Sequence, residues 1–138
     1  MAENHSIYTQ SAVIPWRESN GKIEMLVISS RKRKRWLIPK GIVEAHLTPA
    51  QSAAKEALEE AGVEGELDDT LLGVFDYPKW GGVCSCEVYS LRVVKIRETW
   101  QEDYRLRKWV RPKEAAKLIS QTGLRKIILR FAEVCQQI

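Results

Sequence analysis

Residues that support disulfide or thiolate-metal chemistry are scarce in this sequence. The 138 residues include three cysteines and two histidines. Three cysteines cannot all pair with one another, and Cys84 and Cys86 alternate along a predicted strand, which places both on one face. A zinc site would need further ligands at suitable spacing, and only His5 and His46 could supply them. We therefore expect reduced thiols rather than a structural zinc site.

Long apolar stretches are also missing. No apolar run approaches the length that spans a bilayer, so we expect no membrane partner. Residues 1–10 are polar and lack the basic start and apolar block of a secretory signal, which favours a cytoplasmic protein. Hydrophobic residues make up 44% and charged residues 29%, as in globular proteins, and the length suits one domain over residues 1–138. Nothing in the sequence sets an oligomeric state.

Positive charge is unevenly distributed along the chain. Residues 31–35 form an unbroken basic run, and residues 105–138 contain nine Lys or Arg against two Glu, within a net charge of +4. Such surfaces attract polyanions. The alternative for residues 31–35 is a solvated turn or a nuclear-type basic tract.

The order of predicted elements indicates an α/β fold, a mixed β-sheet sandwiched between helices. An Asn-Gly pair predicts a turn at residues 18–21, and loops are predicted at residues 40–47 and 97–104. The fifth strand is too long to be straight and should contain a bulge. Strands are predicted at residues 11–16, 23–30, 36–38, 71–77, 83–96 and 106–110, and helices at residues 49–61, 112–119 and 124–135.

The first predicted helix carries three glutamates. Thr48 can cap its start with Gln51 in a capping box, Gly62 ends it, and alanines at helical spacing give it a smooth face. Glu56, Glu59 and Glu60 stand three and four residues apart, so their carboxylates share one side. They repel one another near the helix C-terminus, where the dipole disfavours anions. Either they form a solvated acidic face, with Lys55 pairing to Glu59, or they bind a hard cation such as Mg²⁺ or Mn²⁺.

Gly41 and the segment Lys55-Glu-Ala-Leu-Glu-Glu-Ala-Gly-Val63 together resemble the Nudix box, and the spacing from Gly41 to Gly62 fits that motif without a gap. Two positions depart from it. Leu47 stands in place of the first glutamate, and Lys55 replaces the arginine. In the family those two residues form an ion pair that braces the loop against the helix. We expect that pair to be absent here, which affects loop rigidity and rate more than the metal site.

The resemblance implies cleavage of a pyrophosphate linkage by metal-activated water. Metal ligands would be Glu56, Glu59, Glu60 and a backbone carbonyl near Lys40 or Gly41. Family members take their base from the helix or from a later loop, and Glu102 is the leading candidate here for base or extra ligand; its alternative is a solvated loop acid. The candidate catalytic residues are thus Lys55, Glu59, Glu60 and Glu102.

Within that family the chain is most similar to the diphosphoinositol polyphosphate and diadenosine polyphosphate hydrolase branch, through residues 29–41, 73–75 and 100–109. By that likeness Arg31, Arg33 and Lys40 would contact substrate phosphates, with Arg105 and Arg107 as weaker candidates. Trp80, in a Gly-rich turn, could stack on a base.

Three functions remain open from the sequence. The first is a hydrolase acting on a small polyphosphate, either a nucleoside or dinucleoside polyphosphate or a diphosphorylated inositol. Because Leu47 and Lys55 depart from the motif, the second is a binding or regulatory module with weakened catalysis. The third, suggested by the basic C-terminal third, is an enzyme that acts on triphosphorylated RNA 5′ ends.

Overall fold

The computed structural model describes residues 7–136, and a mixed sheet of seven strands forms the centre of that part of the chain. Strand order is β3-β2-β1-β6-β5, with β4 paired to β1 and β7 to β2. The β1 and β6 strands are parallel, and the other pairs are antiparallel. The strands are β1 Ile7–Ser19, β2 Lys22–Ser29, β3 Trp36–Leu37, β4 Lys40–Ile42, β5 Val63–Lys79, β6 Gly82–Ile96 and β7 Arg107–Val110.

Helices cover both faces of the sheet, which confirms the predicted α/β sandwich. Helix α1, Pro49–Ala61, buries its alanines against Val13, Leu26 and Tyr89 on one face. Helices α2, Pro112–Leu118, and α3, Thr122–Gln136, pack on the other face over Ile14, Val27 and Val88. Within residues 7–136 no helix is long and apolar enough to cross a membrane.

The hairpin turns follow from local backbone chemistry. Asn20 and Gly21 both have positive φ, 53° and 76°, as the predicted Asn-Gly turn between β1 and β2 requires. The second hairpin turns at Trp80 and Gly81, with φ of 53° and 73°, inside the predicted turn at residues 78–82. Trp80 therefore holds a left-handed conformation that is unusual for a bulky residue.

Several predicted boundaries are wrong, and β1 covers Ile7–Ser19 rather than residues 11–16. The β5 strand begins at Val63 rather than at residue 71, because residues 63–68 pair with the end of β6 before residues 69–72 interrupt the ladder. Three of the six residues in that first stretch are acidic and one is glycine, and these residue types are depleted in strands. Across from it, Glu64 pairs with Lys95 and Gly65 with Val93, so β6 contains the predicted bulge.

The segment predicted as a loop from residue 40 begins instead as strand β4. Its three residues pair with β1, placing Gly41 opposite Ser11 and Lys40 opposite Ala12. Such a short pairing leaves no periodic pattern in the sequence. Neighbouring positions on a strand point to opposite faces of the sheet. The Lys40 side chain and a Cβ placed at Gly41 would therefore lie on different sides of the sheet.

Cys84 and Cys86 are buried in β6, and both are free thiols, as is Cys135. Of the two histidines considered as zinc ligands, His5 lies outside the described residues. His46 is exposed after β4, where its imidazole lies 3.9 Å from a Glu44 carboxylate oxygen.

Candidate active site

Helix α1 places the glutamates through its caps and its alanine face. The Thr48 side chain accepts from the Gln51 amide and the Gln51 side chain accepts from the Thr48 amide, which is the predicted capping box. Gly62 ends the helix with φ of 67°. Ala53, Ala57 and Ala61 are fully buried against the sheet, so the glutamates between them lie along the margin of the helix.

Glu56 and Glu60 form a pair of half-buried carboxyl groups beside β4. A Cβ added at Gly41 would overlap the Glu56 carboxyl group, so only glycine allows this close approach. Glu60 Oε1 accepts a hydrogen bond from the Lys40 amide at 3.2 Å. Burial raises the pKa of Glu60 to about 8, and the neighbouring Glu56 carboxyl adds to the shift. Burial also raises the pKa of Glu56, reinforced by the negative charges of Glu59 and Glu102.

Glu59 lies in an ion-pair network on the outer side of α1. Lys55 Nζ is 3.7 Å from Glu59 Oε2 and 2.6 Å from Glu44 Oε2. Lys55 therefore does join the loop to the helix, but through an acid other than the one that the motif has at position 47. Glu44, three residues before Leu47, supplies the acid, and its amide also donates to Ser52 Oγ at 3.0 Å.

The predicted loop before β7 closes the C-terminal end of α1. Four successive backbone carbonyls of α1 and its cap accept hydrogen bonds from this loop and from the first residue of β7: Glu59 from the Glu102 amide at 2.9 Å, Glu60 from Trp100 Nε1 at 2.9 Å, Ala61 from Arg107 Nη1 at 3.1 Å and Gly62 from the Arg97 amide at 2.8 Å. Carbonyls at a helix end have no partner within the helix, so the loop satisfies them. These hydrogen bonds place Glu102 near the carboxyl groups of α1.

Glu102 is held through one of its two carboxylate oxygens. Glu102 Oε1 accepts from Tyr104 OH at 3.1 Å and from Arg105 Nε at 2.9 Å, and Arg105 Nη2 lies 2.8 Å away. Among the hydrogen bonds of residues 7–136, none involves Glu102 Oε2. The side chain is 21% exposed and acts electrostatically on Glu56. Glu102 therefore belongs to the carboxylate cluster, with one oxygen free for chemistry.

The predicted cationic residues fall into two groups. Arg105 and Arg107 are used by the protein itself: Arg105 binds Glu102 and donates to the Ser29 carbonyl at 2.9 Å, and Arg107 donates to the carbonyls of Ala61 and Arg97. The Arg107 guanidinium also lies 3.8 Å from the centre of the Trp100 ring. These contacts give both arginines a positioning role, and their contact with substrate stays a prediction.

The other three cations form no ion pair with a carboxylate in the described part of the chain, although Arg33 donates to the Tyr104 carbonyl through Nε and Nη2. Arg31 and Arg33 are exposed in the β2–β3 turn, where Arg33 has a positive φ of 59°. The Lys40 side chain is largely buried, with Nζ 4.7 Å from the centre of the Tyr77 ring. Burial lowers the pKa of Lys40, and within the described residues no carboxylate forms an ion pair with it. A bound phosphate could therefore serve as the counter-ion of the Lys40 ammonium.

Trp80 lies at the hairpin tip on the face that Lys40 occupies. Its ring is 54% exposed and contacts Tyr8 edge-on at 5.0 Å, with Lys79 Nζ 4.4 Å from its centre. An exposed, fixed aromatic ring is compatible with base stacking, which stays a prediction. A neighbouring contact was not visible in the sequence: Tyr77 OH donates to the buried Gln10 side chain.

The donor set fits a hard divalent cation. Among residues 7–136 no group of three or more His, Cys, Asp or Glu side chains is arranged so that it could hold a metal ion. Mg²⁺ needs fewer, because it is commonly bound by one or two carboxylates while waters and substrate phosphates fill the other positions. Glu56 and Glu60 supply such a pair. Burial, and then the neighbouring Glu56 carboxyl group, raise the pKa of Glu60, so two ionised carboxylates there are unfavourable unless a cation balances them. Glu59, Glu102 and the Gly41 carbonyl stay predicted ligands.

Known proteins resemble this chain over most of its length. The profile of the NUDIX domain matches residues 8–131. Nudix hydrolase 12, mitochondrial, of Arabidopsis thaliana is 32% identical over 124 residues, which are 83% of this chain and 61% of that protein. Diphosphoinositol polyphosphate phosphohydrolase 3-alpha of Homo sapiens is 34% identical over 116 residues, 80% of this chain and 68% of that protein. The chain thus spans under two thirds of the length of the Arabidopsis relative.

A solved structure shares the fold. The crystal structure of C. elegans Ap4A hydrolase superposes with a TM-score of 0.76 at 20% identity, covering 94% of this chain and 99% of that one. At this identity the likeness concerns the fold alone.

Proposed function

The chain belongs to the NUDIX family, and from that membership and the site geometry we propose that it is a metal-dependent hydrolase of phosphoanhydride linkages in small polyphosphates. One observation carries the proposal. Glu56 lies against Gly41 and Glu60 against the Lys40 amide, both half-buried, at the end of a helix whose last carbonyls accept hydrogen bonds. Buried carboxyl groups in contact are unfavourable in a purely structural role and suit a cation that bridges to phosphate.

The residues divide the work by position. Glu56 and Glu60 would hold Mg²⁺ or Mn²⁺, which when bound supplies charge neutralisation on phosphate oxygens and a more acidic water. Water then adds to phosphorus, the bridging P–O bond breaks, and Glu102 Oε2 takes the proton of the water. Lys40 and Arg31 neutralise phosphates beyond the reacting one. Lys55 and Glu44 hold the loop that carries Gly41 against the helix.

The substrate class follows from the cations and from relatives. Arg31, Arg33 and Lys40 form no ion pair with a carboxylate within residues 7–136, which favours a ligand with several phosphates. A human relative bears the name diphosphoinositol polyphosphate phosphohydrolase, and a C. elegans protein of the same fold is called Ap4A hydrolase. Both names describe phosphoanhydrides, and we extend that class to this chain.

The test is mass-spectrometric detection of cleavage products from a panel of nucleoside, dinucleoside and inositol polyphosphates, with Mg²⁺ or Mn²⁺ and with a chelator. We expect metal-dependent cleavage of at least one member, and E60Q should lose most of it while keeping the fold. The matched control is E66Q, because Glu66 is 71% exposed on β5, away from the cluster. Tight binding without turnover by folded wild type would instead identify a binding module. Turnover limited to triphosphorylated RNA, with steep salt dependence, would identify the RNA enzyme.

A further inference from the structure

Tyr104 contacts both the basic turn and the candidate base. Its ring centre is 5.2 Å from the Arg31 guanidinium carbon and 5.5 Å from that of Arg105. Its carbonyl accepts from Arg33 Nη2 at 2.9 Å, and its hydroxyl donates to Glu102 Oε1 at 3.1 Å. Three parts of one residue thus contact four different charged groups.

The Arg31 contact stabilises one position of an otherwise free side chain. Arg31 is exposed and takes part in no hydrogen bond through its side chain within residues 7–136, so the Tyr104 ring is its fixed support there. A cation over an aromatic face is attracted by the ring quadrupole. An arginine that is already oriented loses less entropy when it binds a phosphate.

The hydroxyl contact orients Glu102. Tyr104 OH and Arg105 both donate to Oε1, which leaves Oε2 as the oxygen without a partner among the described residues. A carboxylate fixed in this way presents one defined oxygen to its target, whereas a carboxylate with one support fewer can rotate.

We propose that Tyr104 is a positioning residue that couples phosphate binding to catalysis: its ring orients Arg31 toward substrate phosphate and its hydroxyl orients Glu102 for proton transfer. The inference rests on the proposed function, because Glu102 and Arg31 act on substrate there. It predicts that the two halves of one side chain affect different kinetic constants. The hydroxyl acts on kcat, and the ring also acts on KM.

Two substitutions separate the halves. Y104F removes the hydroxyl and keeps the ring, and we expect kcat to fall about tenfold at unchanged KM. Y104L removes both, and we expect the same fall in kcat with KM raised about fivefold. The control is Y89F, which removes another phenol-to-carboxylate hydrogen bond, from Tyr89 OH to Glu87 at 2.5 Å, in a different part of the sheet. It should leave both constants unchanged.

Double-mutant cycles distinguish positioning from general destabilisation. In an E102Q background Y104F should have no further effect on kcat, and in an R31Q background Y104L should no longer raise KM. Full additivity in both cycles, or equal effects of Y104F and Y104L on KM, would overturn the inference. A wild type without turnover on the whole panel would overturn the proposed function instead. In that case the ring is tested by calorimetric binding of inorganic tripolyphosphate, which Y104L should weaken and Y104F should not.

Discussion

Lys55 Nζ lies 2.6 Å from Glu44 Oε2, and this ion pair joins the loop after β4 to helix α1. It replaces a pair that the family motif would form between residues 47 and 55. Leu47 is free of that role because the loop turns back on itself, with the Leu47 amide donating to the Glu44 carbonyl at 3.1 Å. The acid of this ion pair is thus Glu44 instead of the residue at position 47, while the base is still at position 55.

The role of this ion pair can be tested by moving its acid back. E44Q removes the acid, so the loop that carries Gly41 loses a contact with α1 and turnover should fall several-fold. Adding L47E to E44Q restores an acid at the position that the family motif uses, and we expect partial recovery of turnover. Steady-state kinetics on wild type, E44Q and the E44Q/L47E double variant checks this. If E44Q matches wild type, the ion pair has no part in catalysis.

Gly41 should be irreplaceable for metal binding. In G41A the new methyl group would overlap the Glu56 carboxyl group and push it from Glu60. We expect Mg²⁺ affinity and turnover to fall at least tenfold, with little change in Tm, because the displaced carboxyl group moves toward solvent. Calorimetry with MgCl₂ measures the affinity. I42A, at the exposed neighbouring position of β4, is the control and should bind Mg²⁺ like wild type.

Metal binding and pH should be linked through Glu60. Its pKa of about 8 in the folded protein means that most molecules carry a proton there at pH 7, so Mg²⁺ must displace it. We expect Mg²⁺ affinity to rise with pH and to level off above about pH 8. Calorimetry in two buffers of different ionisation enthalpy should detect proton release at pH 7, and E60Q should release less. A Mg²⁺ titration at pH 7 that releases no protons would contradict the raised pKa of Glu60.

The same carboxyl group should affect stability without metal. The folded protein binds a proton that the unfolded chain has released, so this group favours folding below its unfolded pKa of 4.5. That contribution is lost as the pH rises to about 8. We therefore expect metal-free wild type to lose Tm between pH 5 and 8 relative to E60Q, and added Mg²⁺ to flatten the difference. Identical pH profiles of Tm for the two proteins would refute this.

The Lys40 ammonium should lower the stability of the folded protein and strengthen the binding of a polyphosphate. Burial lowers its pKa, and no carboxylate pairs with it in the described chain, so its charge is costly in the folded protein. K40M should therefore have an equal or higher Tm at pH 7, while KM for a polyphosphate rises about tenfold. K95M, at an exposed position of β6, should change neither. A lower Tm for K40M would show that the ammonium stabilises the fold.

The loop that closes α1 should set the position of Glu102. W100F removes the indole N–H that satisfies the Glu60 carbonyl, and we expect a loss of about 1 kcal/mol in the free energy of unfolding. Because Glu102 lies two residues away on the same loop, turnover should fall as well. Urea unfolding and kinetics measure the two effects. A variant with reduced stability and normal turnover would show that Glu102 is held by Arg105 and Tyr104 alone.

Local chemistry made the helix and the first hairpin predictable. Thr48, Gln51 and Gly62 determine both ends of α1, and Asn20-Gly21 determines a turn, because each acts through its immediate neighbours. The spacing of Glu56 and Glu60 likewise follows from helical geometry. These features depend on residues close together in sequence.

Contacts between residues far apart in the sequence were not predicted. The partner of Lys55 depends on how the loop after β4 turns, and the contact between Glu102 and α1 depends on a backbone amide forty residues beyond the helix. Strand β4 and the first part of β5 form because β1 and β6 are there to pair with them. Backbone donors have no residue type that reveals them, so periodicity could not locate these contacts.

Strand β4 is narrow enough for its two faces to serve one ligand. Gly41 adjoins the carboxyl pair on the α1 side, whereas the neighbouring Lys40 directs its ammonium to the Tyr77 side. A molecule that touches both must fold over the outer edge of this three-residue strand. A short, stiff anion can therefore contact one side of β4 at a time, whereas an anion with several linked charged groups can contact both sides.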